Sequence, residues 1–189
     1  MRQCRRAKPE CRRRTALATV AALAVLVALP RAEIIDRVFA VVNGAILTQT
    51  DVFGAMAFGL VDAQPSRSGS ADPIEAALDQ LIDRELVLAE VNRYAPPEPS
   101  EESIAARADT IRERFQSAEA YQKAMASTGY TEERIRAAAR DALRIETYFD
   151  QRFGAAVQPV DRQILIADWK AGLRRRADVT IQYQPRARN

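Results

Sequence analysis

Apolar positions along this chain change their period several times, and each change marks a predicted element. Residues 34–42, IIDRVFAVV, are β-branched and apolar, the composition of a packed strand. Asn43-Gly44 follows directly, and both residues accept the positive φ of a two-residue hairpin turn. Ala45 to Thr48 is then the returning strand. Thr50 is read as the cap of a helix from Asp51, with Phe53, Met56, Ala57 and Leu60 at helical spacing. Residues 62–71, DAQPSRSGSA, form a polar loop.

Asp72-Pro73-Ile74-Glu75 starts a helix with an acidic cap, Pro at the first position and Glu at the third. It runs to about Tyr94, with Ile74, Leu78, Leu81, Ile82, Leu88 and Ala89 facing a core. Ala95-Pro96-Pro97-Glu98-Pro99 is a stiff connector. Ser100 caps a helix with Ile104, Ala108, Ile111 and Phe115 in its repeat. Ser117 caps a shorter one, Ala118 to Ser127, closed by Gly129. Thr131 caps the longest helix, which ends at Phe153 and carries an apolar stripe from Ile135 to Phe149. After a loop at 155–160, a helix spans about Arg162 to Arg176, with Trp169 as its core anchor. Val179 to Tyr183 alternates as a strand and is placed beside the N-terminal hairpin. The predicted fold class is mainly α with a small β component: a helical domain over 33–183, whose minor sheet joins an N-terminal hairpin to a C-terminal strand. Residues 184–189 are read as a disordered tail.

Charge location changes the picture. The chain has a formal net charge of +3, but eight of its 28 bases and only one of its 25 acids lie in the first 32 residues. Those residues also hold both cysteines and an uncharged run from Thr15 to Leu29. A basic start, a short apolar run and a small residue at Ala32 predict a secretory signal peptide, residues 1–32, cleaved before Glu33. The run falls short of the roughly 20 apolar residues of a membrane span; an uncleaved anchor is the alternative. The remainder carries 20 bases and 24 acids, a net charge of −4. That disfavours a nucleic-acid partner.

Candidate chemistry is sparse. With no histidine, neither a Ser-His-Asp or Cys-His system nor a histidine-ligated metal can be built. The glycines match no nucleotide-binding fingerprint. Asp79 and Asp83, at i and i+4, could be an acid/base pair but read better as a solvated face. Arg136, Arg140 and Arg144 form a stripe, read as an exposed face paired with Glu132, Glu133 and Asp141. No catalytic residue, cofactor or metal is expected. Aromatic and Met side chains are the remaining resource: Phe53, Met56, Phe58, Phe115, Tyr121, Met125 and Tyr148 are the candidate peptide-binding residues, with core packing as their ordinary role.

The ordered segments IIDRVFAVVNGAILTQTDV, ALDQLIDRELVLAEVNRY and YQKAMASTGYTEERIRAAARDALRIETYFDQRF resemble the SurA N-terminal domain family, over about residues 34–153. The resemblance implies a periplasmic, ATP-independent holdase whose partners are unfolded polypeptides, outer-membrane protein clients above all. Full-length members add parvulin-type prolyl isomerase domains. Here the stretch after Gly154 is too short for one and holds no histidine, so no isomerase activity is expected. The alternative is an envelope scaffold or subunit with one fixed partner; a weaker one is an isomerase-related protein serving a separate catalytic chain.

Overall fold

The computed structural model describes residues 36–62, 69, 71–154 and 158–185. The signal peptide expected over residues 1–32 and its expected cleavage position lie outside them, as do most of the polar loop at 62–71, residues 155–157 and the last four residues. The described residues belong to one compact unit beginning at Asp36.

Three antiparallel strands form the sheet. β1 (Val38–Val42) and β2 (Ala45–Thr48) are the hairpin, joined through Asn43 and Gly44 at φ 49° and 89°, as a turn with two positive φ angles requires. β3 (Val179–Ile181) pairs with the other edge of β1, giving the order β2-β1-β3, with Val42 opposite Val179. The strand expected over Val179–Tyr183 therefore forms where predicted, two residues shorter. Its continuation still holds: the Gln182 and Tyr183 amides both donate to the Phe39 carbonyl.

Six helices complete the described unit: α1 (Gln49–Ala57), α2 (Pro73–Tyr94), α3 (Glu101–Arg112), α4 (Ala118–Thr128), α5 (Glu132–Phe153) and α6 (Pro159–Arg176). The fold is mainly helical with a small antiparallel sheet. Ser100, Ser117 and Thr131 cap their helices, each hydroxyl accepting a backbone N–H three residues on. Asp72 caps α2 by accepting from the Ile74 amide.

Two caps differ from expectation. Thr48, not Thr50, caps α1: its hydroxyl accepts from the Asp51 amide while the Asp51 carboxylate accepts from the Thr48 amide. This reciprocal capping box satisfies two end donors at once; Thr50, inside the first turn, instead donates its N–H to Asp36. α6 begins at Pro159, three residues early, because proline suits a first helical turn whose N–H groups lack partners anyway.

The core has two parts. The first joins the inner face of the sheet to α2 through Phe39, Val42, Leu78, Ile82 and Val91, and takes in Tyr148 and Leu173. The second packs Phe58, Ile104, Ile111, Tyr121 and Ile135 between α1, α3, α4 and α5. On α2 the sequence places Ala89 inward, whereas it is exposed and Leu86, Val87 and Val91 are buried instead. A 22-residue helix covered by the sheet on one side and by α5 and α6 on others buries more than one stripe.

Candidate functional site

The seven aromatic and Met candidates are not gathered on one surface. Phe58 and Tyr121 are fully buried with half-buried Phe115, their ring centroids 5.3–5.6 Å apart in the second core. Met125 packs on the same cluster. Tyr148 is buried in the first core, Phe53 packs at its edge, and Met56 is exposed on α1. Phe53 does reach a cavity of about 730 Å³, with Phe39, Ile74 and Tyr183 in its walls. As a set, then, these residues build the interior rather than line a groove.

The charged candidates are also occupied. Asp79 and Asp83 are not a solvated face, since their side chains are only 13% and 14% exposed, and both bind the guanidinium of Arg174. The arginine stripe of α5 finds different partners from those expected. Arg136 pairs with Glu101, Arg140 with Glu98, and Arg144 with Asn92 and Glu98. Those partners lie on α2, on the proline connector and at the start of α3, which pack along α5 and bring acids the local sequence could not supply. Among the described residues, no group of three acidic or sulfur side chains converges to hold a metal ion.

Among the described residues, exposed aliphatic side chains gather on α6. Its C-terminal half packs on α2 and α5, through buried Leu173 and the Arg174 ion pairs. Its N-terminal half exposes three large aliphatic side chains: Val160 (68%), Ile164 (55%) and Leu165 (46%). Positions 160, 164 and 165 fall on one side of a helix. One turn on, half-buried Trp169 meets Tyr148, Phe149 and Phe153 at centroid distances of 5.7–5.9 Å. Tyr94, 60% exposed at the end of α2, meets Tyr148 edge-on at a centroid distance of 5.4 Å. Arg152 lies over the Trp169 ring, 5.2 Å from its centroid, a cation–π contact that holds the aromatic group together. The other exposed large apolar side chains are scattered: Ile46 and Ile181 on opposite edge strands, Met56 on α1.

Sequence reasoning missed Val160, Ile164, Leu165 and Tyr94 as surface residues, and took Trp169 for a core anchor, which it is only in part. A signal was present. In PVDRQILIADWKAGL the apolar residues ring the helix instead of keeping to one stripe, so packing one face necessarily leaves others in water.

No protein-family model matches the chain, and no curated protein matches it either. Among the described residues no helix is long and apolar enough to cross a membrane.

Proposed function

We propose that this protein is an exported, ATP-independent holdase that keeps unfolded polypeptides from aggregating in the periplasm. The observation that carries the reading is the aliphatic face of α6, Val160, Ile164 and Leu165, continuing into the aromatic group around Trp169. A contiguous exposed apolar surface marks an interaction site. Of the charged groups around it, Arg162 pairs with Asp150 and Arg152 lies over Trp169. The basic and apolar first 32 residues support export, and the resemblance of residues 34–153 to SurA N-terminal domains supports the client class. No catalytic chemistry is assigned to the chain.

Binding through a few aliphatic and aromatic contacts suits a carrier that must let go. Affinities near micromolar, about −8 kcal/mol, release a client without ATP on useful timescales. The test is light scattering during dilution of a urea-unfolded outer-membrane β-barrel into buffer. Near-stoichiometric protein should suppress aggregation, and an equal amount of an inert protein should not. Aggregation that proceeds unchanged, together with capture of one abundant partner from envelope extract, would favour the fixed-partner scaffold.

A further inference from the structure

Between α1, α2 and α5 lies a cavity of about 230 Å³, and no described residue of α6 lines it. Its walls are largely aliphatic. Leu81 and Leu88 stand two turns apart on one face of α2, and Leu60 adds to them. On α5 the facing positions are Ala137 and Ala138, whose small side chains leave the space open. Three carboxylates and two guanidinium groups also reach it. Four of these five are engaged. Arg134 pairs with Asp51 at 2.6 Å. Arg84 donates to the Ala138 carbonyl at 2.9 Å and lies 4.0 Å from Asp141. Arg140 and Arg144 also act on Asp141, but each is bound to Glu98. Glu85 is the remainder: it is half-buried and makes no hydrogen bond or ion pair with another described residue. Asp141 and Asp51 repel its charge, and only Arg84 attracts it.

A half-buried carboxylate without a partner weakens the fold when it is ionised. Nothing in the described structure offsets this, and residues that break a local rule in this way are characteristic of sites. We propose that the cavity binds a lysine side chain of a polypeptide partner, its aliphatic stem against Leu60, Leu81 and Leu88 and its ammonium on the Glu85 carboxylate. The size fits one side chain, since pockets for drug-sized ligands run from about 300 Å³ upward. The chemistry selects among cations. Lysine joins a flexible apolar stem to a compact charge that a single carboxylate can hold. Arginine brings a planar fork of donors, and beyond Glu85 the acceptors here are already taken by Arg84 and Arg134. A calcium-type ion needs about six to eight oxygen ligands, and among the described residues no group of three acidic side chains converges on one point. The site is separate from the α6 face, so it stands or falls apart from the holdase reading.

The test titrates Gly-Ser peptides with one central Lys, norleucine or Arg into the isotope-labelled protein as purified from the producing cell. Affinity and location are both read from backbone amide shifts. The Lys peptide should move the amides of Leu81, Glu85 and Ala138. It should bind about tenfold tighter than the norleucine peptide, the scale of one charge-assisted hydrogen bond in a half-buried place, and tighter than the Arg peptide. Glu85→Gln should erase the preference for Lys over norleucine, with the fold checked by circular dichroism. Ala137→Leu fills the recess from an exposed position on α5 without touching the carboxylate, and should abolish binding of the Lys and norleucine peptides alike. Equal binding of those two peptides, a Lys preference that survives in E85Q, or shifts confined to α6 would overturn the proposal, as would no binding of any peptide. Tightest binding of the Arg peptide would overturn the assignment to lysine. Suppressed β-barrel aggregation without a Lys preference would leave the holdase reading intact and overturn this site alone.

Discussion

The Arg174 guanidinium donates to the Asp79 carboxylate at 2.8 Å, and its other nitrogen donates to Asp83 at 3.0 Å and to the Asp79 carbonyl at 3.2 Å. One side chain from α6 thereby bridges two like-charged acids one turn apart on α2. The three side chains are only 13–20% exposed, so water screens them weakly. Arg174→Met should cost about 2–3 kcal/mol, because it removes the cation shared by two shielded carboxylates. Arg174→Lys should recover little, since an ammonium cannot fork to both. Removing all three charges in R174M/D79N/D83N should regain much of the loss. Urea unfolding of these variants is the check, and an unchanged midpoint for R174M would show that the clamp contributes nothing.

The two ends of the described chain are tied at Phe39 and Tyr183. Their rings lie 4.8 Å apart between centroids, and the Tyr183 hydroxyl donates to the Asp72 carboxylate at 2.7 Å. Asp178 adds a further tie, its amide donating to the Asn43 side chain while its carbonyl accepts from the Asn43 amide. A two-stranded hairpin is marginal by itself. Deleting residues 177–189 should therefore lower the melting temperature and shift Trp169 emission as α6 loosens. Tyr183→Phe keeps the ring and loses one charge-assisted hydrogen bond, at about 1–2 kcal/mol. A truncated chain that melts like the parent would refute this coupling.

Gly54 marks a close approach between α1 and Tyr130. A Cβ there would fall 2.0 Å from a ring carbon of Tyr130, which also stacks on Phe58 at 5.4 Å and carries Arg134 over its ring. Gly54→Ala gains about 1 kcal/mol in helix propensity but forces the ring out of a packed position, at about 1–3 kcal/mol or more. The net effect should be destabilising in thermal unfolding. In a Tyr130→Ala background the same substitution should become neutral or favourable.

Glu85 carries a pH signature. It borders a cavity of about 230 Å³ with Asp141, Arg84 and Tyr130. Burial pushes its carboxyl above the ordinary 4.5, Asp141 adds to this, and Arg84 opposes it. Asp141 is raised above 3.8 by burial as well, against Arg84, Arg144 and Arg140. A carboxyl with a raised folded pKa favours the fold while protonated; that contribution is complete below the unfolded value and is lost as pH rises through the folded one. Glu85→Gln should therefore raise the melting temperature at pH 7, with the advantage shrinking to nothing below about pH 4. A constant difference across that range would rule out Glu85 as the titrating group.

Local signals made most of the fold legible. Asn43-Gly44 located the hairpin, Ser100, Ser117 and Thr131 set three helix starts, and the alternation at Val179–Ile181 located the third strand. What escaped was what depends on distant chain. Asp79 and Asp83 looked solvated because Arg174, their partner, lies more than ninety residues away. The arginine stripe looked self-paired because Glu98 and Glu101 come from a connector and a helix start that pack alongside. The candidate surface escaped for a related reason. An aromatic residue reads alike in a core and at a partner site, and tertiary packing placed Phe58 and Tyr121 inside while leaving Ile164 and Leu165 in water.

Ile164 and Leu165 consequently separate function from folding. Each is about half exposed, so replacing either by serine removes little native packing, and isoleucine and serine have similar helix propensities. Unfolding free energy should stay within about 0.5 kcal/mol of the parent for each substitution. Client binding should respond differently. Every aliphatic side chain withdrawn from an apolar contact forfeits about 1 kcal/mol or more, so I164S/L165S should weaken client affinity roughly tenfold or more and largely abolish aggregation suppression. The same substitution at buried Ile135 should instead unfold the protein, by about 3 kcal/mol or more, which makes it the control for nonspecific damage. Full suppression of β-barrel aggregation by a folded I164S/L165S would show that clients bind elsewhere, with the cavity bounded by Phe39, Phe53 and Tyr183 the next surface to test.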